Sequence, residues 1–125
     1  MQIQQSSEDY LETILLLSKK LPVVRAVDIA EETGHKNSSI SVAMKKLKSL
    51  ELISVTDAGF IYLTEQGSKI ANNVYERHTL FKEWLCALGI NPQTAEDDAC
   101  RIEHVISDES FEAIKKYLKK VEKKK

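Results

Sequence analysis

The stretch Val27-Asp-Ile-Ala-Glu-Glu-Thr-Gly34-His-Lys-Asn37-Ser-Ser-Ile40-Ser-Val-Ala-Met44-Lys-Lys-Leu47-Lys-Ser-Leu50 decides the fold. Val27, Ile29 and Ala30 begin a short helix with Asp28 and the Glu31-Glu32 pair exposed. Gly34, free to take positive φ, stops it. Asn37, Ser38 and Ser39 offer N-caps for a following helix. Its apolar positions Ile40, Met44, Leu47 and Leu50 keep the 3.6-residue period, with lysines on the other side. Two short helices around a glycine-containing turn form a helix-turn-helix pattern.

On the N-terminal side, Ser6 or Ser7 caps a helix that begins at Glu8 and Asp9, acids that suit a helix start. Tyr10, Leu11, Ile14, Leu15 and Leu17 supply its apolar face, and Pro22 marks its end. On the C-terminal side, Ile53 to Thr56, a turn at Asp57-Ala-Gly59 and Phe60 to Leu63 read as a β-hairpin. Thr64-Glu-Gln-Gly67 then opens a long helix towards Leu88, bounded by Gly89 and Pro92. Asp97 to Ser107 and Phe111 to Val121 read as two further helices, and Lys123 to Lys125 are expected to fray. Helix, helix, helix, hairpin is the order of a winged helix-turn-helix. The expected architecture is mainly α with a small β-hairpin: a DNA-binding winged helix-turn-helix over residues 1–65, then a helical metal-binding and dimerisation domain over 66–125.

The length of 125 residues suits one compact domain or two small ones sharing a core. No apolar run, Ile14 to Leu17 included, approaches the length of a membrane span, so no membrane partner is expected. The N-terminus has neither a basic start nor an h-region, which argues against a signal peptide. Two cysteines, Cys86 and Cys100, make no disulfide framework and point to a reduced cytoplasm. The net charge of −1 conceals segregation: residues 34–50 hold four lysines and no acid, whereas residues 96–112 hold seven acids and one arginine. A basic stripe on a neutral protein suggests a local polyanion site.

The helix after Asn37 is therefore expected to enter the major groove of double-stranded DNA. Asn37, Ser38, Ser39, Ser41 and Val42 would face bases or phosphates, and Lys36, Lys45, Lys46 and Lys48 would neutralise phosphates. A solvated amphipathic helix is the bland alternative; the glycine turn, the serine cluster and the hairpin weigh against it. The hairpin tip itself lacks a basic residue.

Cys100-Arg-Ile-Glu103-His104 carries different chemistry. Positions i, i+3 and i+4 share one helix face, so a thiolate, a carboxylate and an imidazole converge as half of a divalent-metal site. Asp9 and Glu12 repeat the i, i+3 spacing, and His78 lies between the halves in sequence. Each piece alone has an ordinary reading: dipole partners at a helix start, a packed histidine, a small buried cysteine.

Together, Ser7-Glu-Asp9-Tyr-Leu-Glu12, Arg77-His78 and Ala99-Cys100-Arg-Ile-Glu103-His104-Val-Ile-Ser-Asp108-Glu109 resemble the diphtheria-toxin-repressor and manganese-transport-regulator family, in order and spacing over nearly the whole chain. The resemblance implies a homodimer that divalent metal activates to bind operator DNA and repress metal-homeostasis genes. It implies metal ligands at Asp9, Glu12, His78, Cys100, Glu103 and His104, and a dimer interface built from the helices after the wing. It is to the short members, which lack an SH3-like domain, that the chain is similar. Where some relatives carry an ancillary acid and histidine, this chain has Lys82 and Glu96. The ligand mix straddles two branches, because Asp9 matches manganese sensors and Cys100 matches iron sensors. Hard carboxylates suit Mn(II), whereas a thiolate favours Fe(II), Co(II) or Zn(II); Mn(II) or Fe(II) is the expectation.

Two other readings stand beside this one. The first is a winged-helix regulator whose metal site has decayed or is purely structural. The second is a small metal- or thiol-dependent hydrolase built on Cys100 and His104, for which no third orienting group or oxyanion donor is apparent. No enzyme activity and no small-molecule substrate are expected.

Overall fold

In the computed structural model, which describes residues 5–123, the elements run α1 (Gln5–Lys20), α2 (Ala26–Thr33), α3 (Asn37–Ser49), β1 (Ile53–Val55), β2 (Ile61–Leu63), α4 (Glu65–Ala87), α5 (Pro92–Val105) and α6 (Asp108–Lys123). The chain divides into two units, Met1–Asn73 and Val74–Lys125, with the division falling within α4.

The first unit is held by one apolar core. Leu11 and Ile14 of α1, Ile29 of α2 and Ile40 of α3 are fully buried, and Leu47, Leu52, Ile53 and Ile61 pack with them. The spacing Ile40, Met44, Leu47 puts the buried stripe of α3 on one side and leaves its polar residues outside. Gly34 closes α2 at φ 75° and donates its N–H to the Ala30 carbonyl at 2.8 Å, a left-handed cap that a β-carbon would strain. The hairpin pairs Ile53 with Leu63, Ser54 with Tyr62 and Val55 with Ile61 in antiparallel register. Its inner residues Ile53 and Ile61 are buried, while Ser54 and Tyr62 face outward, as the period of two requires. Val24 adds a single bridge to Ile61, which ties the loop before α2 to the wing. Thr64 accepts the Gly67 N–H at 3.1 Å and so caps α4, and a β-carbon at Gly67 would run into the Leu52 carbonyl.

The second unit packs Phe81 of α4, Ala99 of α5 and Phe111 of α6 at its centre, flanked by Leu80, Trp84, Ile102, Ile106 and Ile114. The small residues Ala95 and Ala99 lie a turn apart on the buried face of α5, and the next turn of that face ends in Glu103.

Several expected boundaries differ, and four helix starts show why. Ser6 and Ser7 lie inside α1, which is already helical at Gln5, so neither caps it. Asn37, Ser38 and Ser39 lie inside the first turn of α3; Lys36 takes the cap position without a side-chain bond. The fifth helix starts at Pro92 rather than Asp97, because Asn91 accepts the Gln93 N–H at 2.9 Å and proline suits the first helical position. The sixth starts at Asp108 rather than Phe111, with the Ser107 hydroxyl accepting the Ser110 N–H at 3.1 Å. Of the residues expected to fray, Lys123 ends α6, and Lys124 and Lys125 lie outside the described residues.

Candidate metal centre and nucleic-acid face

The second unit gathers four of the six expected ligands. His78 projects from α4, and Cys100, Glu103 and His104 from α5. Ligand atoms of Cys100, Glu103 and His104 lie within 4.8 Å of one another, and so do those of His78 and Glu103. Glu103 is the hub. Its side chain is 0 % exposed, with Oε2 2.7 Å from His78 Nδ1 and Oε1 3.2 Å from His104 Nε2. A carboxylate at the end of an apolar helix face is not part of a solvated acidic patch, unlike Asp97, Asp108, Glu109 and Glu112, which are exposed. Burying such a charge costs several kcal/mol unless it is paired and hydrogen-bonded. Thiol, carboxylate and two imidazoles form a donor set that fits a divalent transition metal.

Two further residues hold this cluster, and sequence reasoning assigned neither that role. Arg77, buried and one residue before His78, donates from Nη1 to the carbonyls of Glu103 at 3.2 Å and Ile106 at 2.7 Å, and from Nη2 to Asp108. Its guanidinium also lies over the Phe111 ring, 5.3 Å from the centroid. It therefore fixes the C-terminal end of α5, from which Glu103 and His104 project. On the other side of His78, Nε2 lies 2.9 Å from Glu96 Oε1, and Lys82 Nζ lies 2.8 Å from Glu96 Oε2. The hydrogen bond from Lys82 holds the Glu96 carboxyl below the usual carboxylate range against a partial burial that raises it, with the His78 charge helping; the same bond raises the Lys82 ammonium.

Asp9 and Glu12 belong to the first unit, on α1, both half-buried. In that unit the N-cap Lys36 and, on α3, Asn37, Ser38, Ser39, Ser41, Val42, Lys45 and Lys46 are all exposed, Val42 at 68 %. Ser38, Ser39, Val42 and Lys46 line a shallow groove together with Ser6, Ser7 and Tyr10 of α1. The positive charge that the hairpin tip lacks stands next to the wing: the Arg25 guanidinium lies over Phe60, 5.0 Å from the ring centroid. No sequence pattern pairs these two, because the contact depends on Val24 bridging Ile61.

Residues 2–59 match the family described as iron dependent repressor, N-terminal DNA binding domain, and residues 64–125 match iron dependent repressor, metal binding and dimerisation domain. The transcriptional regulator MntR of Escherichia coli is 31 % identical over 90 % of this chain and 73 % of its own length. An uncharacterized HTH-type transcriptional regulator of Methanocaldococcus jannaschii is 33 % identical over 98 % of this chain and 99 % of its own length. Among solved structures, the manganese regulator SloR superposes with a TM-score of 0.80 at 28 % identity, over 90 % of this chain and 53 % of SloR. The chain thus spans about half the length of that relative. These relatives are transcriptional regulators and not enzymes, which removes the hydrolase reading. By fold, by donor set and by these likenesses, the chain belongs to the diphtheria-toxin-repressor and manganese-transport-regulator family of metal-dependent transcriptional repressors.

Proposed function

We propose that the protein is a homodimeric repressor that binds double-stranded operator DNA when loaded with Mn(II) or Fe(II) and so controls metal-homeostasis genes. The observation that carries this reading is the buried Glu103 carboxylate between the imidazoles of His78 and His104, with the Cys100 thiol beside it. Asp9 and Glu12 complete the ligand set with His78, Cys100, Glu103 and His104. The functional division lies at residues 65 and 66, with DNA binding before it and metal binding and dimerisation after it.

A divalent cation bound by these residues supplies the positive charge that offsets their mutual repulsion. The consequence for the DNA-binding unit follows from its packing. Leu11 and Ile14 on α1 share one core with Ile40 and Leu47 on α3, so a constraint applied at Asp9 and Glu12 is passed to the recognition helix. Two such helices in a dimer then meet successive major grooves one helical turn apart. Lys36, Lys45 and Lys46 contact phosphates, and Asn37, Ser38, Ser39, Ser41 and Val42 sample base edges. The carboxylates and the kinship with manganese regulators favour Mn(II). The Cys100 thiolate favours Fe(II) and also admits Co(II) and Zn(II).

Selection from a random duplex library, by anaerobically handled protein with each metal in turn, tests the reading. The expected result is enrichment of a two-fold symmetric site by loaded protein and none by stripped protein. The same site enriched equally without metal would support a decayed or structural metal site instead.

A further inference from the structure

Both ring nitrogens of His78 meet carboxylates from α5: Glu103 at Nδ1, 2.7 Å, and Glu96 at Nε2, 2.9 Å. Those two contacts differ in what stands behind them. Glu103 is buried and shares its second oxygen with His104, whereas Glu96 is half-exposed and gives its second oxygen to the Lys82 ammonium. Two donors bound to one divalent ion stand about 3 Å apart when metal–ligand bonds are near 2.1 Å, so Nδ1 and Glu103 Oε2 are spaced as neighbouring ligands. The Nε2 side has a different character, since a fixed cation already faces the carboxylate there.

We propose that Glu96, anchored by Lys82, is a positioning residue that accepts the Nε2 proton of His78 and so presents the Nδ1 lone pair to the metal beside Glu103. The inference rests on the metal-dependent reading above. Its physical basis is tautomer control. A neutral imidazole has one N–H and one lone pair, and a carboxylate hydrogen-bonded to one nitrogen selects which is which. Glu96 cannot itself leave for the metal cheaply, because doing so breaks both the His78 bond and the Lys82 ion pair.

The test uses the dimer of the 125-residue chain with ¹⁵N-labelled histidine and ¹¹³Cd(II) as a diamagnetic probe. In the wild type, cadmium should couple to Nδ1 of His78 while Nε2 retains a proton. Glu96→Ala should weaken Cd(II) and Mn(II) binding by about 10- to 100-fold, the usual loss for an outer hydrogen-bond partner. Glu96→Gln, whose amide oxygen still accepts the proton, should restore most of that loss. Lys82→Met should fall between wild type and Glu96→Ala. Cadmium coupled to Nε2, or wild-type affinity in Glu96→Ala, would overturn the inference alone. No cadmium bound by the wild type would overturn the metal-centre reading and this inference with it.

Discussion

Replacing Arg77 with methionine removes the clamp on the end of α5 while keeping much of the aliphatic volume. The guanidinium, 10 % exposed in its side chain, donates to the carbonyls of Glu103 and Ile106. Hydrogen bonds from charged groups contribute about 1.5–3 kcal/mol each, and the lower end suits the 3.2 Å contact to Glu103. The two bonds together are thus worth about 3 kcal/mol. The ion pair with Asp108 adds little, since that carboxylate is 82 % exposed and screened by water. Loss of the contact over Phe111 adds about 0.5–1 kcal/mol. The variant should therefore be destabilised by about 3.5–4 kcal/mol, which with a urea slope of about 2 kcal/mol/M lowers the midpoint by about 1.8–2 M. Fluorescence of Trp84, the single tryptophan, reports this unit because it packs against Phe81 at 6.4 Å. Asp108→Asn is the control and should lower the midpoint by less than about 0.5 M. An Arg77→Met midpoint within that same margin, or an equal loss in Asp108→Asn, would refute the assignment of the clamp to the carbonyls.

Further outcomes follow from other parts of the structure. Gly34→Ala should cost about 1–2 kcal/mol in thermal unfolding, purely from the left-handed backbone, because a β-carbon there meets no neighbour within 4 Å; an unchanged melt would show that the cap is dispensable. Arg25→Ala should weaken operator binding across sequences and reduce the salt slope by about one, as expected for one lost phosphate contact, while leaving metal affinity unchanged; an unaltered slope would remove Arg25 from the interface. In metal-free protein, Glu96 is held below its ordinary range, so its contribution to stability is present above that range and lost as pH falls through the depressed value. Lys82→Met should move the Glu96 titration, read by NMR of its carboxyl carbon, to higher pH, and an unmoved titration would show that Lys82 is not its main partner.

Much of this architecture is legible in the sequence because it is written in local signals. The 3.6 spacing of Ile40, Met44 and Leu47, the stop at Gly34 and the alternation Ile53-Ser54-Val55 each depend on neighbours a few residues away. The start of α5 is missed for a local reason too: Asn91-Pro92 reads as the end of α4, yet the same pair caps and opens the next helix. The four candidate ligands of the second unit are read from spacing and family resemblance combined, since His78 and Glu103 are 25 residues apart. The supports of those ligands leave no comparable trace. Arg77 reaches a carbonyl 29 residues away, and Arg25 meets Phe60 only because Val24 bridges Ile61. Glu96 looks like one acid in an acidic stretch until the fold sets it against His78 and Lys82.

If metal binding and operator binding are one coupled equilibrium, the coupling is measurable in both directions. Operator affinity should be determined by anaerobic fluorescence anisotropy for stripped and for Mn(II)- or Fe(II)-loaded protein. Metal affinity should then be determined with and without the same operator. Metal should raise operator affinity by at least about fivefold, and operator should raise metal affinity by the same factor. Equal operator affinity with and without metal would contradict it.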